Sequence, residues 1–274
     1  MLKKRRHILP FFFLLLAFQP CTGAQPGSSR TAYISIIIDD LGYRLHDDLR
    51  AVALPGPVIC AIMPHAPYST QLAELAHQQG KEIILHQPLE ALQKNEYLGP
   101  GALTLDMTEQ EFTRTFRSNM ASVPHMIGVN NHMGSLLTQH PGHMGWLMSV
   151  IKQHHLFFID SVTSDNSIAA MIAHEKNIPY LERDIFFDNV QKASAIEKQF
   201  GKLLQIARVR GTAVGIGHPY PETMNVLTRV IQELDPGDVK LVGLKSLYSK
   251  RNGGSGKWQA SSSHSLRVVK NSKP

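Results

Sequence analysis

Eight short apolar runs, each bounded by turn residues and separated by amphipathic stretches, restrict this 274-residue chain to few folds. The runs are 33–38, 58–63, 82–85, 126–129, 156–159, 178–181, 213–216 and 239–244. Each has the length and boundaries of a strand buried on both faces. Helical periodicity lies between most of them. Residues 70–79 put Leu72, Leu75 and Ala76 on one face. Residues 108–120 open with Thr108 and Glu111 at capping-box spacing, then align Phe112, Thr115, Phe116 and Met120. Further helices are expected over 142–154, 168–176, 194–209 and 222–234. Such β–α alternation demands a parallel sheet covered by helices, an α/β fold. A rolled sheet and an open doubly wound sheet both satisfy it, and both place ligands at the carboxyl ends of the strands.

The two ends of the chain differ from the middle. Residues 1–24 read as a secretory signal peptide: Lys3, Lys4, Arg5 and Arg6, then an apolar stretch of 11 residues, then small residues Thr22-Gly23-Ala24. The apolar stretch is too short to span a bilayer. Residues 25–31 read as a linker and 32–248 as one domain without internal repeats. From Ser249 the chain is rich in Ser, Gly, Lys and Arg, with six positive charges and no acid, and a disordered tail is expected. Setting aside the four leader charges and the six tail charges turns the overall +6 into a net negative charge for the domain. No nucleic-acid partner is therefore expected. The tail should be solvated, with at most a weak contact to an acidic envelope surface. A cleaved leader removes Cys21 and leaves Cys60, inside an apolar run, as a buried inert thiol. The predicted location is periplasmic or secreted.

Several runs end on groups that a folding strand does not need. Asp39 and Asp40 close the first, His86 the third, Asn130-Asn131-His132 the fourth, Asp160 the fifth and His218 the seventh. If the sheet is rolled, these tips converge. Imidazoles and carboxylates at one point suit a divalent metal, with Zn²⁺ the first choice. Because successive strand side chains face opposite ways, one of the paired aspartates should face the metal and the other stand beside it. The second is then placed to take a proton from a water that the metal activates, while His218 returns one to a leaving amine. That is the division of labour of metal-assisted amide or ester hydrolysis. Asp160 is expected to orient a histidine, or otherwise to cap the following turn.

The ordered motifs IDDLGY, GKEIILHQPLE, GVNNHMGS, FFIDS, ERDIFFDN and GIGHP resemble the divergent polysaccharide deacetylase family, over nearly all of 33–248. The family is a distant branch of the NodB-type carbohydrate esterases, which use a metal to remove acetyl groups from glycans. The resemblance implies a distorted (β/α)7 barrel-like fold with outer helices and a polysaccharide or peptidoglycan-like partner. It implies Asp39 as catalytic base, Asp40 and His86 as metal ligands and His218 as general acid. Leu41 separates Asp40 from Gly42, where the better-known enzymes have Asp-Asp-Gly. Glu90 falls where their second metal histidine would be. The GVNNHMGS stretch matches their third motif only in position and lacks its arginine. His132 is the expected replacement ligand, with Glu90 the second choice. These departures also motivate a rival expectation: a deacetylase-like glycan binder or envelope scaffold without activity.

Other candidates carry less. Arg183, Asp184 and Asp188 are expected to form a structural ion-pair set, and His65, beside Pro64 and Pro67, to shape a loop. His140 and His143 have ligand-like spacing, but Pro141 and Gly142 between them mark a helix start. Tyr43 and Tyr97 are candidates for stacking on a sugar ring.

Overall fold

The computed structural model describes residues 31–253; the expected leader, nearly all of the linker and the chain beyond 253 lie outside the described residues. Nine strands form one parallel sheet: β1 (Ala32–Leu41), β2 (Ile59–Ile62), β3 (Ile83–Leu89), β4 (Met126–Met133), β5 (Phe157–Asp160), β6 (Tyr180–Glu182), β7 (Ile185–Phe186), β8 (Thr212–Gly217) and β9 (Val239–Leu241). Their order is β6-β5-β4-β3-β2-β1-β8-β7, with β9 beside the start of β1. The helices are α1 (Leu45–Val52), α2 (Ser69–Gln78), α3 (Glu109–Ala121), α4 (Pro141–Gln153), α5 (Ala169–Glu175), α6 (Ala193–Arg210), α7 (Pro221–Gln232) and α8 (Leu244–Gly253). The expected capping box starts α3: Thr108 Oγ1 accepts from the Glu111 N–H at 3.3 Å, and Glu111 Oε2 accepts from the Thr108 N–H at 2.9 Å.

Strand order forces the sheet to curl. β6 and β7 stand at opposite ends of the ladder, yet only Arg183 and Asp184 separate them in sequence. Three Cα steps span at most about 11 Å. The two edges must therefore lie side by side. Arg183 N–H donates to the Asp160 carbonyl on one edge (3.0 Å), and Asp184 N–H to the Val214 carbonyl on the other (2.9 Å). Of the two architectures the sequence left open, the rolled, barrel-like one is observed.

Strand alternation then sorts the side chains into two cores. Ile34, Ile36, Ile38, Leu85, Val129, Phe158 and Ala213 pack against the helices. Ile37, Ile59, Ile84, Ile159, Leu181, Val214 and Ile216 fill the interior of the curl. Helix α8 closes the end where the strands begin. Leu244 and Leu247 are fully buried among the interior residues, and Arg251 Nε donates to Thr212 Oγ1 at the first residue of β8 (2.9 Å). Only the carboxyl ends of the strands remain for a site.

The sequence reading differs from this fold at several elements, and the last run, 239–244, is a strand only over Val239–Leu241. Periodicity marks no helix over α1 or α8, and the tail expected from Ser249 starts inside α8, which continues to Gly253. Helix α8 is short in apolar residues and rich in Ser and Lys, so its periodicity is weak. The apolar runs end at Leu85 and Val129, whereas strands β3 and β4 run on to Leu89 and Met133. Polarity resembles a strand end, but His86, Asn130 and His132 are strand residues facing the curl, while Gln87 accepts from Asn119 of α3 on the outer side (2.8 Å). β7 has two residues and carries no periodic signal.

If α8 is the plug of the inner core, Leu247→Ala should cost about 2–5 kcal/mol in urea denaturation of the full chain. A loss below about 1 kcal/mol, the size of a surface substitution, would contradict that role.

Candidate metal centre

β1 brings two carboxylates to the rim by breaking its own alternation. Asp39 has the parity of Ile37 and points into the curl, where it is buried. Asp40 would point outward, but its φ of 60° puts it in the left-handed region, and the β1–β2 register shifts between Ile38 and Leu41. This bulge re-aims Asp40 toward the same mouth. Leu41 resumes the strand opposite Ile62, which accounts for the residue between Asp40 and Gly42. The buried Asp48 carboxylate accepts from the N–H groups of Gly42 (2.9 Å) and Arg44 (3.1 Å) and holds the turn that follows.

His86 on β3 and His132 on β4 share inward parity with Ile84 and Asn130. His86 Nε2 lies 3.1 Å from Asp40 Oδ1, His132 Nδ1 lies 2.9 Å from it, and the two nitrogens are 3.2 Å apart. Among the described residues this trio alone groups three such ligands closely enough to hold an ion. The other ring nitrogens are committed. His86 Nδ1 bonds to Asn130 Oδ1 (2.8 Å) and His132 Nε2 to the Tyr97 carbonyl (3.2 Å). Both partners are acceptors, so those nitrogens carry the protons. In the neutral rings, His86 Nε2 and His132 Nδ1 then turn lone pairs toward a carboxylate oxygen. Asp40 Oδ1 is buried and receives no well-directed hydrogen bond, despite two nitrogens within 3.1 Å. Three electron-rich atoms in contact call for a positive charge between them. Ligand atoms of a tetrahedral zinc site lie about 3.3 Å apart. The donor set and its spacing therefore fit a divalent cation.

Without an ion, the same demand for positive charge falls on the imidazole of His86. Burial raises Asp40, but His132 and His86 outweigh it and hold its carboxyl well below the usual range. Burial lowers His86, yet the charges of Asp39 and Asp40 leave it raised. Burial pushes Asp39 up, against the pull of His86 and His218. Burial also disfavours charge on His218, but the hydrogen bond from its ring to Asp188 and the charge of Asp40 raise it to about 9.

His218 follows β8 and comes next to Asp39 in register, since Ile38 pairs with Gly217. Its Nε2 faces Asp40 Oδ2 at 3.9 Å. Its Nδ1 donates to Asp188 Oδ1 (2.9 Å), and its backbone N–H donates to Asp188 Oδ2 (2.7 Å). Thr223 Oγ1 donates to the same oxygen at 2.8 Å. The residue that orients a histidine is thus Asp188.

Asp160 does not take that role, and strand parity explains why. It points outward to α5, accepting from Ser167 Oγ (2.7 Å) and the Val162 N–H (2.8 Å). It caps the turn that holds Val162 at φ 48°. Arg183 holds the same turn, donating to the Ser161 and Val162 carbonyls (2.6 and 2.8 Å), while Asp184 pairs with Arg210 at 3.0 Å. Arg183, Asp184 and Asp188 therefore do three separate jobs instead of forming one ion-pair set. Glu90 lies outside the trio: its Oε2 accepts from the Leu105 N–H at 2.7 Å, turning it into the loop that follows β3. His65 bonds Asn119 (3.0 Å), as a loop-shaping residue would. His140 and His143 pack on each other beside Phe112 and Trp146. Tyr43 and Tyr97 are exposed, 41% and 67%. Cys60 is buried, and burial pushes its thiol up to about 12.

Sequence reasoning missed Asn130 as a site residue and misplaced Asp188. Asn130 lies two residues before His132, on the same strand face, and that parity was a usable signal. Asp188 follows Phe186-Phe187 much as Asp160 follows Phe157-Phe158-Ile159, so the motif alone does not separate the two.

Residues 36–248 match the model of the divergent polysaccharide deacetylases. The chain belongs to that family. Two family-scale relatives share substantial identity with it. The uncharacterised protein YibQ of Escherichia coli K12 is 33% identical over 90% of this chain and 74% of its own length. An uncharacterised protein of Haemophilus influenzae is 36% identical over 78% and 76%. Solved structures share the fold. An uncharacterised protein of Agrobacterium tumefaciens C58 superposes with a TM-score of 0.76 at 23% identity, covering 83% of this chain and 92% of that one. A CE4 family pseudoenzyme of Bacillus anthracis gives 0.50 at 10% identity, covering 81% and 67%.

The His218–Asp188 pair makes a pH prediction. With a folded value of about 9 against roughly 6.5 when unfolded, its stabilisation is complete below about pH 6.5 and is lost as pH rises through about 9. In metal-free protein, the melting advantage of wild type over Asp188→Asn should narrow between those limits. A constant difference would contradict the pairing.

Proposed function

We propose that this family member is a metal-dependent hydrolase that removes acetyl groups from an N-acetylated or O-acetylated envelope glycan, acting in the periplasm or outside the cell. The observation that carries the proposal is the buried Asp40 Oδ1, lacking a directed hydrogen bond and facing the two histidine nitrogens, with Asp39 and His218 beside it. Asp40, His86 and His132 would hold the ion, most suitably Zn²⁺ given two imidazoles and one carboxylate. Bound there, it would supply Lewis-acid polarisation of the acetyl carbonyl and a water of lowered pKa.

The remaining roles belong to side chains. Asp39 accepts a proton from the attacking water as its oxygen bonds to the carbonyl carbon. His218, whose proton the Asp188 carboxylate favours, donates it to the departing nitrogen or oxygen as the bond to the acetyl carbon breaks. Acetate and a free amine or hydroxyl result. Asp188 keeps the His218 ring aimed and its Nδ1 protonated, so Nε2 is the donor to substrate. The exposed rings of Tyr43 and Tyr97 offer apolar faces to a sugar.

Purified protein should carry stoichiometric zinc and release acetate from acetylated glycans, and chelation should abolish that release. His86→Ala should lose both metal and turnover. Asp39→Asn and His218→Gln should keep the metal while kcat falls by about 10²–10⁴. Activity that survives chelation, or full turnover in His86→Ala, would overturn the proposal. Metal-loaded wild type that binds glycan but releases no acetate would favour the non-catalytic binder instead.

A further inference from the structure

The group behind the trio that neither the metal nor the proton transfers use is Asn130. It is fully buried and faces the curl. β3–β4 pairing sets His86 directly opposite it, so their contact is built into the sheet. The amide makes two short bonds in opposite senses. Its Oδ1 accepts from His86 Nδ1 at 2.8 Å, and its Nδ2 donates to Asp39 Oδ1 at 2.8 Å. Nδ2 also lies 3.4 Å from Ser161 Oγ.

We infer that Asn130 is a positioning residue that couples the metal ligand to the base: one amide fixes the tautomer of His86 and anchors Asp39. The inference rests on the metal-dependent reading above. The chemistry singles out this residue type. His86 can offer Nε2 to a cation only if Nδ1 keeps its proton, which requires an acceptor behind it. Asp39, an acceptor on both oxygens when ionised, requires a donor. A side-chain amide supplies both from one planar group. A carboxylate at the same position would serve His86 and repel Asp39, and an aliphatic group would serve neither. The orientation of the amide follows from Asp39, which cannot donate when ionised.

Two near-isosteric variants of the full chain separate these functions. Zinc affinity is read by competition with a chromophoric chelator, and the His86 tautomer by ¹⁵N NMR of the metal-free protein at alkaline pH, where the ring is neutral. Asn130→Leu should weaken zinc binding about 10–100-fold, and the fixed Nδ1–H form of His86 should be lost. Asn130→Asp keeps the acceptor, so zinc affinity should stay within about threefold of wild type and the tautomer should persist. Its turnover should nevertheless fall at least about 100-fold, because a second carboxylate faces the base.

Zinc affinity and tautomer both unchanged in Asn130→Leu would overturn the inference. So would equal zinc loss in the two variants, which marks a packing role. If Asn130→Leu does not fold, Asn130→Asp decides alone: zinc kept with turnover lost supports the coupling, and zinc lost overturns it. A wild type that binds no zinc refutes the metal reading, while the tautomer comparison still tests Asn130.

Discussion

Two residues, Arg183 and Asp184, carry the chain from one edge of the sheet to the other, and this short crossing makes a site possible. A flat sheet with the same strands would hold β6 and β7 far apart. The short connection forces the curl, and the curl brings the ends of β1, β3, β4 and β8 around one mouth. Burial follows from the same geometry. The interior is filled below by Ile37, Ile84 and Ile216 and plugged by Leu244 and Leu247 of α8. Polar side chains one layer higher therefore sit on an apolar floor, where charges interact strongly and an unmatched polar atom is costly.

In that setting the clustering of Asp40, His86 and His132 carries meaning. Each is supported from behind: His86 by Asn130, His132 by the Tyr97 carbonyl, and Asp40 by a left-handed bulge that Asp48 braces from the next turn. A fold that needed only stability would fill these positions with apolar residues, as it does one layer below. The supports hold lone pairs toward a common point, which is the arrangement a cation requires. Asp39 and His218 flank it, each with its own buried partner.

Much of this was legible in the sequence. The β–α alternation gave the class, and the six motifs gave the family and the rolled sheet. Asp39, Asp40, His86, His132 and His218 were all legible as candidates because strands ended on groups that folding does not need. What escaped notice has physical causes. Asp160 and Asp188 look alike in sequence, and only strand parity sends one to the helix layer and the other to His218. Asn130 was hidden inside a strand extension that polarity disguised as a loop. Glu90 matched a motif position, but a backbone contact to Leu105 turns it away, and no spacing rule reports such a contact. Helix α8 went unseen because most of its surface is polar and its apolar residues face an interior that exists only once the sheet has curled.

The central claim is that a cation belongs between Asp40, His86 and His132. Anomalous diffraction at the zinc edge, from crystals of the full chain grown with zinc, measures this directly. A single strong peak within about 2.0–2.2 Å of Asp40 Oδ1, His86 Nε2 and His132 Nδ1 is the predicted result. A map with no peak there, or with the metal on His140 and His143 instead, would contradict it.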